Sequence, residues 1–193
     1  MEALQLLIHA RGAPGLRWFG LGPGLRPTRG LWKLQRLFNK HAFWAQGRSF
    51  RDLRRLLVGS AVVVTLWQGK RLVGFGRASS DGIYRAVLWD VVVAGDLHGQ
   101  GLGRRVVEAL LADRALRGVE RLYLMTTNSA GFYEQLGFRA AEPQVLLVKQ
   151  TAIGHKSDGG SSARAEQPIS QAGRPSNCPS PGPAGRSSSP GCS

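Results

Sequence analysis

With 193 residues, 42% of them apolar, the chain has material for one packed domain and a tail. Its two cysteines, Cys178 and Cys192, lie in a C-terminal segment dense in Ser, Pro and Gly. Residues 1–150 therefore hold no disulfide scaffold, cysteine zinc site or cysteine nucleophile. The net charge of +14 is uneven, since residues 1–60 carry eleven Lys/Arg against Glu2 and Asp52 and residues 61–150 carry eleven against eight acids. Such a field attracts polyanions, whether coenzyme, nucleic acid or acidic protein surface, unless these cations are ordinary solvated helix faces. No apolar run has bilayer length, and residues 1–10 hold a Glu and no basic start, so neither a membrane span nor a secretory signal is expected. The cytoplasm is the expected location. The Arg-rich, acid-poor stretch 11–30 makes a targeting segment, and with it the plastid stroma, the alternative.

In chain order, residues 12–30 hold too much Gly and Pro for a helix, and 16–21 are expected to form the first strand. Leu31, Leu34, Phe38, Ala42 and Ala45 recur at helical spacing, as do Phe50, Leu53 and Leu57, with Ser49 placed to cap the second helix. Residues 60–67 and 72–78 read as strands around Gln68-Gly69-Lys70, and 84–93 as a third after a turn at 79–83. A helix over 101–117 crossing to a strand at 121–126 implies a parallel pair. A short helix over 130–136 and a closing strand at 145–149 complete the expected domain, 31–150. Residues 1–30 are left as a less defined segment, and 151–193, poor in large apolar groups, as a disordered tail. No internal repeat is present.

The most informative words are His98-Gly99-Gln100-Gly101-Leu102-Gly103-Arg104-Arg105, between the apolar run Val91-Val92-Val93 and the amphipathic pattern Val106, Val107, Leu110, Leu111. A strand, a glycine-rich turn and a helix in that order aim free backbone N–H groups and the helix dipole at one point, where an anion is held. The spacing fits neither a P-loop nor a dinucleotide fingerprint. It resembles the pyrophosphate loop of GNAT-type N-acetyltransferases, Gln/Arg-x-x-Gly-x-Gly/Ala. Asn128 followed by Phe132-Tyr133 and Gly137-Phe138 resembles that family's second signature. The stretches Gly69-Lys70-Arg71-Leu72-Val73-Gly74-Phe75-Gly76-Arg77 and Leu88-Trp89-Asp90-Val91-Val92-Val93 are similar to its cyanobacterial and plastid branch.

The resemblance implies an acyl-CoA N-acyltransferase fold of the α/β class. Its mixed central sheet is antiparallel on the N-terminal side and parallel at the cofactor strand. It also implies acetyl-CoA as co-substrate and amines as acceptors, with protein lysines or N-termini as the branch's acceptors. Val91, Val92 and Val93 would present backbone groups to the pantetheine arm, with the amide of Val92 or Val93 stabilising the oxyanion. Gly99, Gln100, Gly101, Leu102, Gly103 and Arg104 would cradle the diphosphate, and His98 stands where the family has Gln or Arg. Tyr133 would protonate the departing sulfur, and Asn128 would cap the short helix or touch the pantetheine chain. Asp90 either draws the amine proton, directly or through water, or forms a buried ion pair or a turn contact. The four histidines lack metal-ligand spacing, so no metal is expected. The rival acceptor is a small amine. A rival of another class is an inactive domain binding nucleic acid through the basic N-terminal third, with Trp18, Phe19, Trp32 and Trp44 as stacking faces.

Overall fold

The computed structural model describes residues 3–141 and 145–149. The chain divides into two units, Met1–Gln144 and Val145–Ser193. The expected disordered tail, 151–193, lies outside the described residues.

The first unit is built on five strands in the order β1-β2-β3-β4-β5. These are β1 (Leu4–His9), β2 (Val62–Gln68), β3 (Arg71–Ser80), β4 (Arg85–Val93) and β5 (Arg121–Tyr123). The first four pair antiparallel and β4 pairs parallel with β5, the mixed sheet that the sequence implies. Helices α2 (Gly30–His41) and α3 (Phe50–Val58) carry the two apolar stripes read from the sequence, and Ser49 accepts the Asp52 N–H as the cap of α3.

Three expectations are corrected. The first strand is Leu4–His9, paired in register with β2. Residues 16–21 instead enter a short helix, α1 (Pro14–Phe19), because Pro14 sits in its first turn, where no N–H is needed, and Leu16 buries completely. The helix over 101–117 is broken into α4 (Leu102–Leu111) and α5 (Arg114–Arg117) by Asp113, whose carboxylate caps the second piece through Ala115 N–H at 2.9 Å. Finally, residues 145–149 form no strand, and Val145, Leu146, Leu147 and Val148 are exposed. The short helix appears as α6 (Ala130–Glu134).

Opposite faces of the sheet take different helices because side chains alternate along β3. Phe75 meets Phe38 of α2 edge to face at 5.3 Å, while Gly76 lies under α4. A Cβ at Gly76 would stand 2.7 Å from Val106 and 3.0 Å from Leu110, so only a glycine lets α4 approach this closely. Gly76→Ala is expected to push α4 outward and cost about 1–3 kcal/mol, read as a lower urea midpoint.

On the α2 side, Trp67 Nε1–H donates to the buried Thr65 Oγ1 at 2.9 Å, and Thr65 in turn meets His9 Nε2 at 2.8 Å. The Thr65 hydroxyl hydrogen is thus free to satisfy a neutral imidazole. Burial lowers the His9 pKa from 6.5 to about 4. Between those values the unfolded chain binds more protons than the folded one, so stability is full above about pH 6.5 and falls as the pH drops toward 4. Urea melts at pH 7 and pH 5 should show this loss, at a slope of up to about 1.4 kcal/mol per pH unit, and His9→Gln should flatten it.

Candidate active site

Strand β4 positions the site. It meets β5 only over Arg85, Ala86 and Val87, opposite Arg121, Leu122 and Tyr123. β5 ends at Tyr123, so from Leu88 onward this edge of β4 has no parallel partner among the described residues. On its other edge β4 slips by one residue against β3, since Val92 lies opposite Phe75 but Trp89 lies opposite Arg77. The extra residue falls at Asp90-Val91, and Asp90 has φ +52°, a left-handed backbone that non-glycine residues rarely adopt.

Beyond the bulge, Ala94 N–H donates to Val73 O across the β3 ladder at 2.8 Å. By strand alternation Val92 also points its amide at β3 and Val93 points away, toward the gap. His98 Nε2 bonds Val93 O at 3.0 Å, which places the polar groups of Val93 on that open edge. Of the two amides offered for the oxyanion, the one facing the gap is therefore that of Val93. The His98 ring is engaged with backbone and ties the turn back to β4.

The turn that follows carries the main feature. None of the six successive N–H groups of Gly99, Gln100, Gly101, Leu102, Gly103 and Arg104 has an acceptor among the described residues, and the first bond into α4 is Arg105 N–H to Gly101 O at 3.1 Å. Gly99 and Gly101 have φ +78° and +71°, and a Cβ on either would meet nothing within 4 Å. Their glycine identity therefore serves backbone conformation, which turns successive amides to one side. Gly103 faces α6, where a Cβ would make an ordinary contact with the Phe132 ring at 3.4 Å. With the N-terminus of the ten-residue α4, these donors form a cradle for a doubly charged oxyanion group. Arg104 bridges Glu108 at 3.5 Å and Gln135 at 3.4 Å, while Arg105 is exposed.

Tyr133, on α6, packs edge to face with Phe132 at 4.9 Å and Phe138 at 5.9 Å. Its hydroxyl has no partner among the described residues, and burial raises its pKa above 10.0, so it stays a proton donor at neutral pH. Asn128 is exposed and does not cap α6; the cap position is Ser129, whose N–H donates to Thr126 Oγ1 at 3.1 Å.

Asp90 forms the ion pair of the two sequence alternatives. Its side chain is 5% exposed; Arg77 Nε donates to Oδ2 at 2.7 Å and Arg48 Nη1 to Oδ1 at 3.0 Å. Arg48 also lies over the Phe38 ring, so this carboxylate ties the 42–49 loop to the bulge. Neither arginine stood out in the sequence: Arg48 is 42 positions away from Asp90, and no local pattern couples them. Asp90→Asn would leave two guanidiniums facing a neutral amide and is expected to cost about 3 kcal/mol, measured by denaturant unfolding. Among the described residues no group of three or more His, Cys, Asp or Glu is arranged to hold a metal ion, and no helix is long and apolar enough to cross a membrane.

A bulged strand with one open edge, a free-amide turn and a following Phe-Tyr helix stand together in a mixed α/β domain. The chain belongs to the acetyltransferase (GNAT) family, whose family model matches residues 31–138. It is 42% identical over 107 residues to serotonin N-acetyltransferase 2, chloroplastic, of Oryza sativa subsp. japonica, covering 51% of this chain and 52% of that protein. It is 35% identical over 119 residues to GCN5-related N-acetyltransferase 1, chloroplastic, of Arabidopsis thaliana, covering 58% and 59%. An acetyltransferase of the GNAT family from Streptococcus pneumoniae TIGR4 shares the fold with a TM-score of 0.55 at 16% identity, over 77% of this chain and 100% of that one. The chain spans about half the length of the curated relatives it matches.

Proposed function

We propose that the protein transfers the acetyl group of acetyl-CoA directly to a primary amine of a protein, an N-terminal α-amine or a lysine side chain. The observation that carries this reading is the run of six unpaired amides from Gly99 to Arg104, a donor set matched to a diphosphate. Tight binding there anchors the coenzyme so that the thioester lies along the open edge of β4. The amine nitrogen attacks the thioester carbonyl carbon, and the Val93 N–H stabilises the charge on its oxygen. As the carbon–sulfur bond breaks, Tyr133 gives its phenolic proton to the sulfur, the nitrogen of the adduct releases its extra proton to solvent water, and the phenolate takes a proton back from solvent. Alignment of two bound reactants suits a domain without a cysteine nucleophile.

Asp90 acts here as a positioning residue. Both its oxygens accept from guanidiniums, and it is the only carboxylate on β4. An acceptor that is partly neutral in water then has the advantage. An α-amine titrates near pH ~8 and a lysine near ~10.4, which favours protein N-termini. A small aromatic alkylamine is the second reading, supported by the rice relative named for serotonin. The chloroplastic relatives support the plastid stroma over the cytoplasm.

Mass-spectrometric mapping after incubation with acetyl-CoA, protein N-terminal peptides, lysine peptides and serotonin tests the assignment. Acetylation of peptide α-amines is the expected result. Turnover of serotonin alone would establish the second reading, and turnover of none would remove both.

A further inference from the structure

Away from the free-amide turn, α2 and the β2–β3 turn enclose a groove of about 1240 Å³. Trp32, Lys33, Arg36 and Lys40 line one wall, and Lys70 and Arg71 the other. Its charge is one-sided. Asp96 is the single carboxylate lining it and is already held by both Nη atoms of Arg71 at 2.7 Å. Lys33, Arg36, Lys40 and Lys70 have no carboxylate within ion-pairing distance among the described residues. The Lys33 ammonium donates to the backbone O of Lys70 at 2.6 Å, which fixes this cation across the groove against the β2–β3 turn. The Arg36 guanidinium lies over the half-exposed Trp32 ring, 5.5 Å from its centre, so a cation and an aromatic ring line the same wall of the groove. Lys33, Arg36 and Lys40 recur at helical spacing along α2, a row of about 10 Å from first to last at 1.5 Å per residue.

The groove also adjoins the transfer site. His41, in its lining, accepts the Gly95 N–H at 3.1 Å, and Asp96 lies two residues before His98, which opens the free-amide turn. The 42–49 loop then continues from α2 to the bulge through Arg48 and Asp90.

We propose that this groove docks an acidic segment of the protein acceptor, so that acidic chains present their amines to β4 more effectively than neutral or basic ones. The proposal rests on the protein-acceptor reading above. Unpaired cations in a row repel one another and are relieved by an extended run of carboxylates. A row on one helix face spans only a few residues of such a chain, which points to a short Asp/Glu stretch.

The test uses two dye-labelled peptides with the same free N-terminus, one carrying four Glu and the other four Gln, and the full chain with or without Arg36→Glu/Lys40→Glu. Anisotropy and acetylation kinetics are read at low and high salt. The expected result is a Kd and KM about 10-fold lower for the acidic peptide at low salt, shrinking with added salt. The double reversal should abolish that preference and leave kcat on the neutral peptide and the affinity for CoA unchanged. Equal affinity of the wild type for both peptides would overturn the proposal, as would a preference that survives the reversal. A reversal that weakens CoA but not dephospho-CoA would assign the groove to the coenzyme's 3′-phosphate, and displacement by a 12-nucleotide RNA at lower concentration than by the acidic peptide would assign it to nucleic acid. If neither peptide is acetylated, the functional reading fails, while the anisotropy still decides whether the groove takes acidic chains.

Discussion

Tyr133→Phe should lower kcat by about 100-fold or more and leave CoA affinity and thermal stability unchanged. The separation follows from what the hydroxyl touches. The ring is held by Phe132 and Phe138, contacts that phenylalanine keeps, whereas the hydroxyl has no partner among the described residues and so supports no fold interaction. On the proposed mechanism, that free hydroxyl is the proton donor to sulfur. The pH profile supplies a second reading. The phenol donates only while protonated, and burial lifts its pKa above 10.0. The alkaline limb of kcat due to this group therefore lies higher than for a free phenol in the wild type and disappears in the variant. Full turnover by Tyr133→Phe would reduce the tyrosine to a packing residue.

The site is legible in the sequence where conformation demands a particular residue, and hidden where distant residues meet. Gly99 and Gly101 are written as glycine because their backbone is left-handed, so the turn and its free amides are legible as an anion site, while the diphosphate comes from the resemblance to the GNAT loop. Ser49 announced α3 for the same local reason. By contrast, the left-handed Asp90 carries no sequence mark. Its conformation is held by Arg48 and Arg77, and only the folded chain brings these three together. β1 escaped notice because Leu4, Leu6 and Leu7 lack the strict alternation of a half-buried strand and the antiparallel partner that makes them one is more than fifty residues away. At 145–149 an equally apolar run gives no strand. Periodicity reports what a segment can bury, and whether a partner edge exists is a property of the whole fold.

Gly101→Val is expected to raise the CoA dissociation constant about 100-fold, equivalent to roughly 2.7 kcal/mol, and to lower KM-normalised turnover with it. Two effects add. A β-branched residue is strongly disfavoured at φ +71°, so the turn must rotate and redirect the amides on either side. The new side chain also enters the open space over the cradle, the direction from which the diphosphate approaches. Each charge-assisted hydrogen bond contributes about 1.5–3 kcal/mol, so losing one or two accounts for the size of the effect. Because a Cβ at Gly101 meets no neighbour within 4 Å, the cost to folding is confined to backbone strain, about 1–3 kcal/mol. Gly103→Ala provides the contrast: its Cβ would make an ordinary contact with Phe132 at 3.4 Å and its backbone is not left-handed, so it should change CoA affinity far less than Gly101→Val. Calorimetry with CoA and with S-acetylpantetheine, which lacks the diphosphate, separates cradle from helix. The Gly101 variant should lose affinity for CoA and bind the short thioester as the wild type does; an equal loss for both would mean that α4 itself had moved and that the free amides are not what holds the coenzyme.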